Sequence, residues 1–259
     1  MSHMKNTSLT SFKAHELFLI SGPCSVESEE QMRKILDQDH APTLIRGGIY
    51  KMRTSSKSFQ GLGSDGIELI EKLSSDYNFN FITEITDARQ AEKLNNITSV
   101  FQVGARNMYN YELLKELTQY KKPVILKRGF SATISEWLGA AEYLADLGEE
   151  NIILCERGVR SFDTKLRNML DLGSVIYLKK NTNFKVIVDP SHSMGLTAYV
   201  TDAALAAVAA GADGLIVEVH PEPSCALSDG QQALNLEQFD QLVSKLKQLC
   251  PIFGKELRM

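Results

Sequence analysis

Eight times along this chain a short apolar run of strand length ends on a residue able to hold metal, phosphate or carboxylate. Residues 17–21 lead to Cys24, 43–45 to Arg46 and Lys51, 79–83 to Glu84, and 100–104 to Arg106. Residues 124–126 lead to Lys127 and Arg128, and 152–154 to Glu156 and Arg157. Residues 186–188 lead to Asp189 and His192, and 215–217 to Glu218 and His220. Between the runs the period changes to that of helices. Ser28-Glu29-Glu30-Gln31 reads as a capping box ahead of Met32, Ile35 and Leu36, and Thr133-Ile134-Ser135-Glu136 as a second. Ile134, Trp137, Leu138, Ala141, Leu144 and Ala145 then form one apolar stripe that Gly148 stops. An alanine-rich helix over 202–210 closes at Gly211, and Asn235 opens a last helix through Leu249, with Leu242, Leu246 and Leu249 inward.

Strands alternating with helices predict βα units around a parallel sheet. Their number favours closure into a single α/β domain, a (β/α)8 TIM barrel, over an open doubly wound sheet. No Gly-x-Gly-x-x-Gly opens the first helix, which counts against a dinucleotide fold. The barrel is expected over residues 17–259. Residues 1–16 are read as an N-terminal extension whose Met1-Ser2-His3-Met4 is a cloning remnant. In a barrel of this kind the carboxyl ends of all strands open on one face, so the eight run ends would converge there.

The 259 residues carry 43% hydrophobic and 23% charged side chains and a net charge of −4, enough for one full core. No global basic field favours nucleic acid. No stretch reaches the roughly 20 apolar residues of a membrane span. Four widely spaced cysteines give no disulfide framework, and a cytoplasmic location is expected.

Two sets of residues could do chemistry. Cys24, His192, Glu218 and Asp229 together offer a thiolate, an imidazole and two carboxylates, a mixed donor set suited to a divalent first-row metal. Each alone has an ordinary reading: a buried thiol, a loop-closing imidazole, a turn aspartate. The second set is cationic: Arg46, Lys51, Arg53, Arg106, Lys127, Arg128 and Arg157. Arginine forks and lysine point charges bind carboxylate and phosphate, and buried cations without partners call for an anionic ligand. The alternative is that they pair with Glu84, Asp189 or Glu156, or are solvated.

Ordered motifs then carry a resemblance. These are Ser21-Gly-Pro-Cys24-Ser-Val-Glu-Ser28, Arg46-Gly-Gly, Lys51-x-Arg-Thr-Ser55, Phe59-Gln-Gly-Leu-Gly63 and Gln102-Val-Gly-Ala-Arg-Asn107. Leu126-Lys-Arg-Gly129, Leu154-Cys-Glu-Arg-Gly158, Val188-Asp-Pro-Ser-His192, Val217-Glu-Val-His-Pro221 and Leu227-Ser-Asp-Gly230 follow. With them the chain closely resembles the 3-deoxy-D-arabino-heptulosonate 7-phosphate (DAHP) synthases, in their short type I form related to 3-deoxy-D-manno-octulosonate 8-phosphate synthase. The resemblance implies a barrel that condenses phosphoenolpyruvate with erythrose 4-phosphate and releases phosphate, the opening step of the shikimate pathway. It implies Cys24, His192, Glu218 and Asp229 as ligands of a divalent metal, manganese first, with iron, cobalt or zinc as alternatives. It sets Arg106, Lys127 and Arg157 around the phosphoenolpyruvate phosphate and Arg46 and Lys51 near its carboxylate. Arg53, Thr54 and Ser55 would hold the aldose phosphate. Lys51 and Lys127 are the expected catalytic cations, and Glu84 or a metal-bound hydroxide would deprotonate the attacking water. A homo-oligomer, dimer or tetramer, is implied as well.

Two departures stand out. Met52 replaces the proline usual in the Lys-Pro-Arg-Thr-Ser loop, which frees a φ angle, and 193–197 lacks the usual basic residues. The competing readings are an octulosonate synthase using arabinose 5-phosphate, whose loop typically reads Lys-Ala-Asn-Arg, and a non-catalytic phosphoenolpyruvate-binding barrel.

Overall fold

The computed structural model describes residues 13, 15–53 and 55–259. Thr54 and most of the 1–16 extension therefore lie outside the described residues. Eight parallel strands close on themselves: β1 (Glu16–Gly22), β2 (Leu44–Arg46), β3 (Asn80–Ile85), β4 (Val100–Val103), β5 (Val124–Lys127), β6 (Ile152–Glu156), β7 (Lys185–Val188) and β8 (Gly214–Glu218). They follow one another around the barrel in chain order, and β1 pairs with both β8 and β2 to close it. The connecting helices are α1 (Glu29–Leu36), α2 (Ser64–Asp76), α3 (Ala91–Asn95), α4 (Tyr111–Thr118), α5 (Ile134–Asp146), α6 (Leu172–Asn181), α7 (Pro190–Met194), α8 (Thr197–Ala209) and α9 (Leu236–Leu249).

Successive side chains of a strand point to opposite faces, and that alternation makes two cores. Leu17, Leu19, Ile45, Phe81, Phe101, Leu126, Leu154, Val186 and Leu215 face outward and pack against the helices. Phe18, Ile20, Leu44, Ile82, Val100, Ile125, Ile153, Cys155, Ile187 and Ile216 fill the interior. Both faces are apolar, which is why each strand reads as a continuous run. Gly214 has no side chain because the Phe18 ring occupies its space, with an added Cβ only 2.7 Å from that ring.

Helix ends follow local chemistry. Thr133 caps α5 in a full capping box with Glu136, and Trp137 donates from Nε1 to the Leu126 carbonyl at 3.1 Å, fastening α5 to β5. The buried face of α5 carries Ala140 where Ala145 was expected; Ala145 is exposed. Asn235 and Gln238 form the box at the start of α9, where Leu249 is only half-buried. Ser28 caps α1 by accepting from the Gln31 backbone, but the Gln31 side chain accepts from Glu27 N–H, one residue before the cap. The alanine-rich helix begins at Thr197, five residues earlier than its composition predicts, and ends before Gly211 at φ 94°. Thr133→Ala should cost about 1 kcal/mol of stability, readable as a lower urea midpoint with an unchanged slope; an unmoved midpoint would remove the cap from the account.

One strand had no signal in the sequence. β9 (Glu256–Arg258) runs parallel to β1 along Glu16, Leu17 and Phe18. β2 is three residues long and meets β1 only at Ser21, so it leaves the lower part of that edge unpaired. β9 satisfies those backbone groups.

Candidate functional site

The interior core ends one step below the carboxyl face, and the next inward position on each strand changes character. Leu44 is followed by Arg46, Ile82 by Glu84, Val100 by Gln102, Ile125 by Lys127, Cys155 by Arg157, Ile187 by Asp189 and Ile216 by Glu218. A spacing of two keeps each of these side chains inward, now above the apolar plug. On β1 the same spacing passes through Gly22, at φ 143°, to Cys24. A Cβ at Gly22 would lie 2.2 Å from the Arg46 carbonyl oxygen, so the turn toward Cys24 needs a residue without a side chain. The result is a cleft lined by cations from four strand ends and the loops that follow them, those of β2, β4, β5 and β6.

Ligand-capable atoms of Cys24, His192, Glu218 and Asp229 lie within 4.8 Å of one another, although the chain separates Cys24 from Asp229 by 205 residues. Each is held. Asp189 caps α7, accepting the His192 backbone N–H on Oδ1 at 2.9 Å, while its Oδ2 lies 2.8 Å from His192 Nδ1. Pro190 occupies the first turn, where its missing N–H costs nothing. The Asp-Pro-Ser-His sequence thus builds a helix start whose cap also orients the imidazole, leaving Nε2 to face Glu218 Oε1 at 3.3 Å. Glu218 also accepts from Arg46 Nη1 at 2.7 Å and from Gln232 Nε2 at 2.6 Å. Asp229 stands at φ 54°, a conformation uncommon outside glycine, with Arg167 3.2 Å from Oδ1. Its Oδ2 accepts the Cys24 thiol proton at 3.1 Å.

Burial, with Glu218 nearby, pushes the Cys24 thiol up to about 12. Lys51 and Arg46 pull the other way and are outweighed, so a further cation bonded to the sulfur would be needed to bring out its thiolate. Burial lowers the His192 imidazole, so it is neutral and has a lone pair to offer. Two donors about 2.0–2.3 Å from one ion lie at most roughly 4.6 Å apart. The four atoms therefore need only small shifts to share an ion, and the Asp189–His192 contact is the outer support that metal-bound imidazoles usually have. These residues fit a divalent cation.

Cations surround that cluster. Lys51 Nζ lies 3.0 Å from the Cys24 carbonyl, 3.2 Å from its sulfur and 3.8 Å from Glu84. Burial alone would lower the Lys51 ammonium, but Cys24 and Glu84 outweigh it and hold the value up. Lys127 Nζ lies 2.5 Å from Asp189 Oδ2 and is 4% exposed. Burial likewise opposes ionisation of Asp189, yet His192 and Lys127 keep it well below the usual carboxylate range. Arg46 has a buried Nε with no partner among the described residues. Arg106 and Arg157 line the same cleft with Met52, Arg53 and Gln102. Arg53 donates to the Phe59 carbonyl at 3.1 Å and to Ser228 Oγ, whose hydroxyl in turn donates to Cys24 Sγ at 3.0 Å.

Some residues fall elsewhere. Arg128 leaves the cleft: it binds Glu156 and Asp171, each at 2.9 Å, and stacks on Trp137, because its position on the strand faces the helices. Ser55 is exposed on the 51–60 loop, where its hydroxyl accepts from Lys57 N–H, and it does not line the cleft. His220 pairs with Glu27 at 3.4 Å and fixes a loop. Gly104 stands in the Gln102–Asn107 motif without a role of its own, Phe130 reads from the sequence as core or pocket wall, and Arg167 gave no sequence signal; all three line the cleft. A Cβ on Gly104 would sit 2.0 Å from Glu84 Oε1, so this glycine makes room for that carboxyl group.

Residues 5–253 match the family model of the DAHP synthetase I family. The chain is 44% identical over 238 residues to the phospho-2-dehydro-3-deoxyheptonate aldolase of Thermotoga maritima, covering 91% of this chain and 70% of that one. It is 28% identical over 259 residues to the 2-dehydro-3-deoxyphosphooctonate aldolase of Legionella pneumophila, covering 92% and 93%. The crystal structure of the Thermotoga maritima DAHP synthase superimposes with a TM-score of 0.90 at 42% identity, covering 94% of this chain and 72% of that one. A truncated form of that synthase gives 0.86 at 40% identity, covering 94% and 90%.

Proposed function

The chain belongs to the DAHP synthetase I family and is an enzyme, a 3-deoxy-7-phosphoheptulonate synthase, and on that premise we propose that it condenses phosphoenolpyruvate with erythrose 4-phosphate at a divalent metal held by Cys24, His192, Glu218 and Asp229. The observation that carries this reading is a cation-lined cleft set directly beside a four-donor cluster. Two anionic substrates repel each other in water; Arg46, Lys51, Arg106, Lys127 and Arg157 would neutralise both and hold them in register, which makes the encounter effectively unimolecular.

In this reading Arg106, Lys127 and Arg157 take the phosphoenolpyruvate phosphate, and Arg46 and Lys51 its carboxylate. Arg53 would reach for the aldose phosphate; Thr54 and Ser55 follow it in sequence, and Ser55 would have to move to reach the cleft that it does not line. A bound divalent metal, manganese first and iron, cobalt or zinc otherwise, would supply a Lewis acid for the aldehyde oxygen. The phosphoenolpyruvate C3 would then attack the aldehyde carbon, whose oxygen takes up a proton to become a hydroxyl while positive character develops at C2. The hydroxyl that water later leaves on C2 gives its proton to the departing phosphate as the ketone forms. Water adds to C2, giving up its proton to Glu84, which lines the cleft. Lys127 and Arg157 stabilise the leaving phosphate as the C2–O bond breaks, and Asp189 fixes Lys127 while this happens.

Arabinose 5-phosphate is the competing aldose, and the 44% against 28% identities favour the four-carbon one. Phosphate release should be at least about tenfold faster with erythrose 4-phosphate at equal concentration, a factor worth about 1.4 kcal/mol. A chelator should abolish it, and manganese should restore it. Preference for arabinose 5-phosphate would reassign the substrate, and chelator-resistant turnover would remove the metal.

A further inference from the structure

Three guanidinium groups gather on one aromatic ring at the mouth of the cleft. Arg160 lies 4.9 Å from the Phe130 centroid, Arg157 5.0 Å and Arg106 5.4 Å. They arrive from different places: Arg106 from the turn after β4, Arg157 immediately after β6, and Arg160 three residues further on. The backbone locks this arrangement, because Arg160 N–H donates to the Phe130 carbonyl at 2.6 Å. Among the described residues no carboxylate stands within ion-pair distance of any of the three. Arg157 donates only to the carbonyls of Gly158 and His192.

Like charges so placed repel one another, and a ring face is the one attractive surface they share. Elsewhere in the cleft the cations have acidic partners: Arg46 has Glu218, Lys127 has Asp189, and Arg167 has Asp229. Arg53 is held by the Phe59 carbonyl and Ser228, so among the described residues the Phe130 group is the largest gathering of positive charge in the cleft without a carboxylate, which suits an incoming dianion. Arg106 is exposed and has no hydrogen-bond acceptor among the described residues, so of these the ring is what limits its rotamers.

We propose that Phe130 is a positioning residue: its ring is a shelf that sets the Arg106 and Arg157 guanidinium groups at a fixed separation for a phosphate, with Arg160 charging the same shelf from the rim. The inference rests on the phosphoenolpyruvate reading for the identity of the natural ligand, but not for the class of anion. Removing the ring's negative face returns rotamer freedom to the arginines, a cost then met again at each binding event.

Titration calorimetry with inorganic phosphate and with phosphoenolpyruvate tests this on wild type, Phe130→Leu and Phe130→Tyr. Leucine keeps the apolar bulk without the π face; tyrosine keeps both. Phe130→Leu should weaken both ligands by about tenfold and raise KM for phosphoenolpyruvate alike, with any fall in kcat through the looser Arg157 smaller than the rise in KM, and KM for the aldose phosphate within about twofold. Phe130→Tyr should restore wild-type values, and all three proteins should melt alike. Equal affinities in wild type and Phe130→Leu would overturn the shelf, as would a fall in kcat without a change in KM. Wild type that binds phosphate but not phosphoenolpyruvate, with the leucine variant still weakened, would leave the shelf standing and sink the substrate assignment instead.

Discussion

Replacing Lys127 with alanine should lower kcat/KM for phosphoenolpyruvate on the order of a thousandfold, about 4 kcal/mol of transition-state stabilisation. Lys127 is 4% exposed, fixed on β5, and aimed into the cleft by the step of two from Ile125. Its ammonium would meet the phosphate as the C2–O bond breaks, when charge on the departing group is greatest. A preorganised cation in a dry site costs no reorganisation at that moment. The substitution also strips Asp189 of one partner at 2.5 Å, so the fold could suffer independently. His192 still faces that carboxylate, which limits the damage. Lys127→Met keeps the stem and serves as the control. Both variants should show the kinetic loss while melting cooperatively, and an unchanged KM and kcat in either would take Lys127 out of the reaction.

Replacing Cys24 with alanine should weaken binding of a divalent ion by at least about a hundredfold and silence turnover in metal-limited buffer. Cys24 is the one sulfur donor of the cluster, and its surroundings are built around it. Ser228 Oγ donates to the sulfur, Lys51 sits 3.2 Å away, and Asp229 accepts the thiol proton. The residue is small and lies after β1 in a loop, so its loss should leave the barrel intact. Equilibrium dialysis against manganese reads the effect directly. Wild-type stoichiometry and affinity in the alanine variant would remove Cys24 from the ligand set.

The strands were legible because a barrel strand is apolar on both faces, and each run therefore stands out from its flanks. The chemistry was legible for a related reason. Period two carries the inward face from Leu44 to Arg46 and from Ile216 to Glu218, so a polar residue just past a run end lands above the core. That same alternation decides against Arg128. Lys127 and Arg128 are neighbours in sequence and therefore point to opposite sides of the wall. Reading run ends as a group could not separate them, but counting parity could have.

Other features depend on geometry that no local pattern encodes. Arg167 reaches Asp229 from a loop 62 residues earlier, because that loop folds back through the Val159–Met169 bridge. β9 exists to cover an edge that a three-residue neighbour leaves open, and its own three residues are too few for a periodic signal. Gly104 matters through what it omits, since the space belongs to Glu84. Asp189 was legible as a partner for the cations, and its pairing with Lys127 bears that out. Its hold on His192 was legible too, because an aspartate followed by proline is a helix-start signature and a histidine two residues beyond the proline falls within reach of the same carboxylate.

The most direct measurement is diffraction from crystals soaked with manganese and phosphoenolpyruvate, with data collected where manganese scatters anomalously. One anomalous peak should appear bonded to Cys24 Sγ, His192 Nε2, Glu218 and Asp229, with the ligand's phosphate against Arg106, Lys127 and Arg157. A peak elsewhere, or phosphoenolpyruvate seated away from those three cations, would contradict the assignment of this cleft.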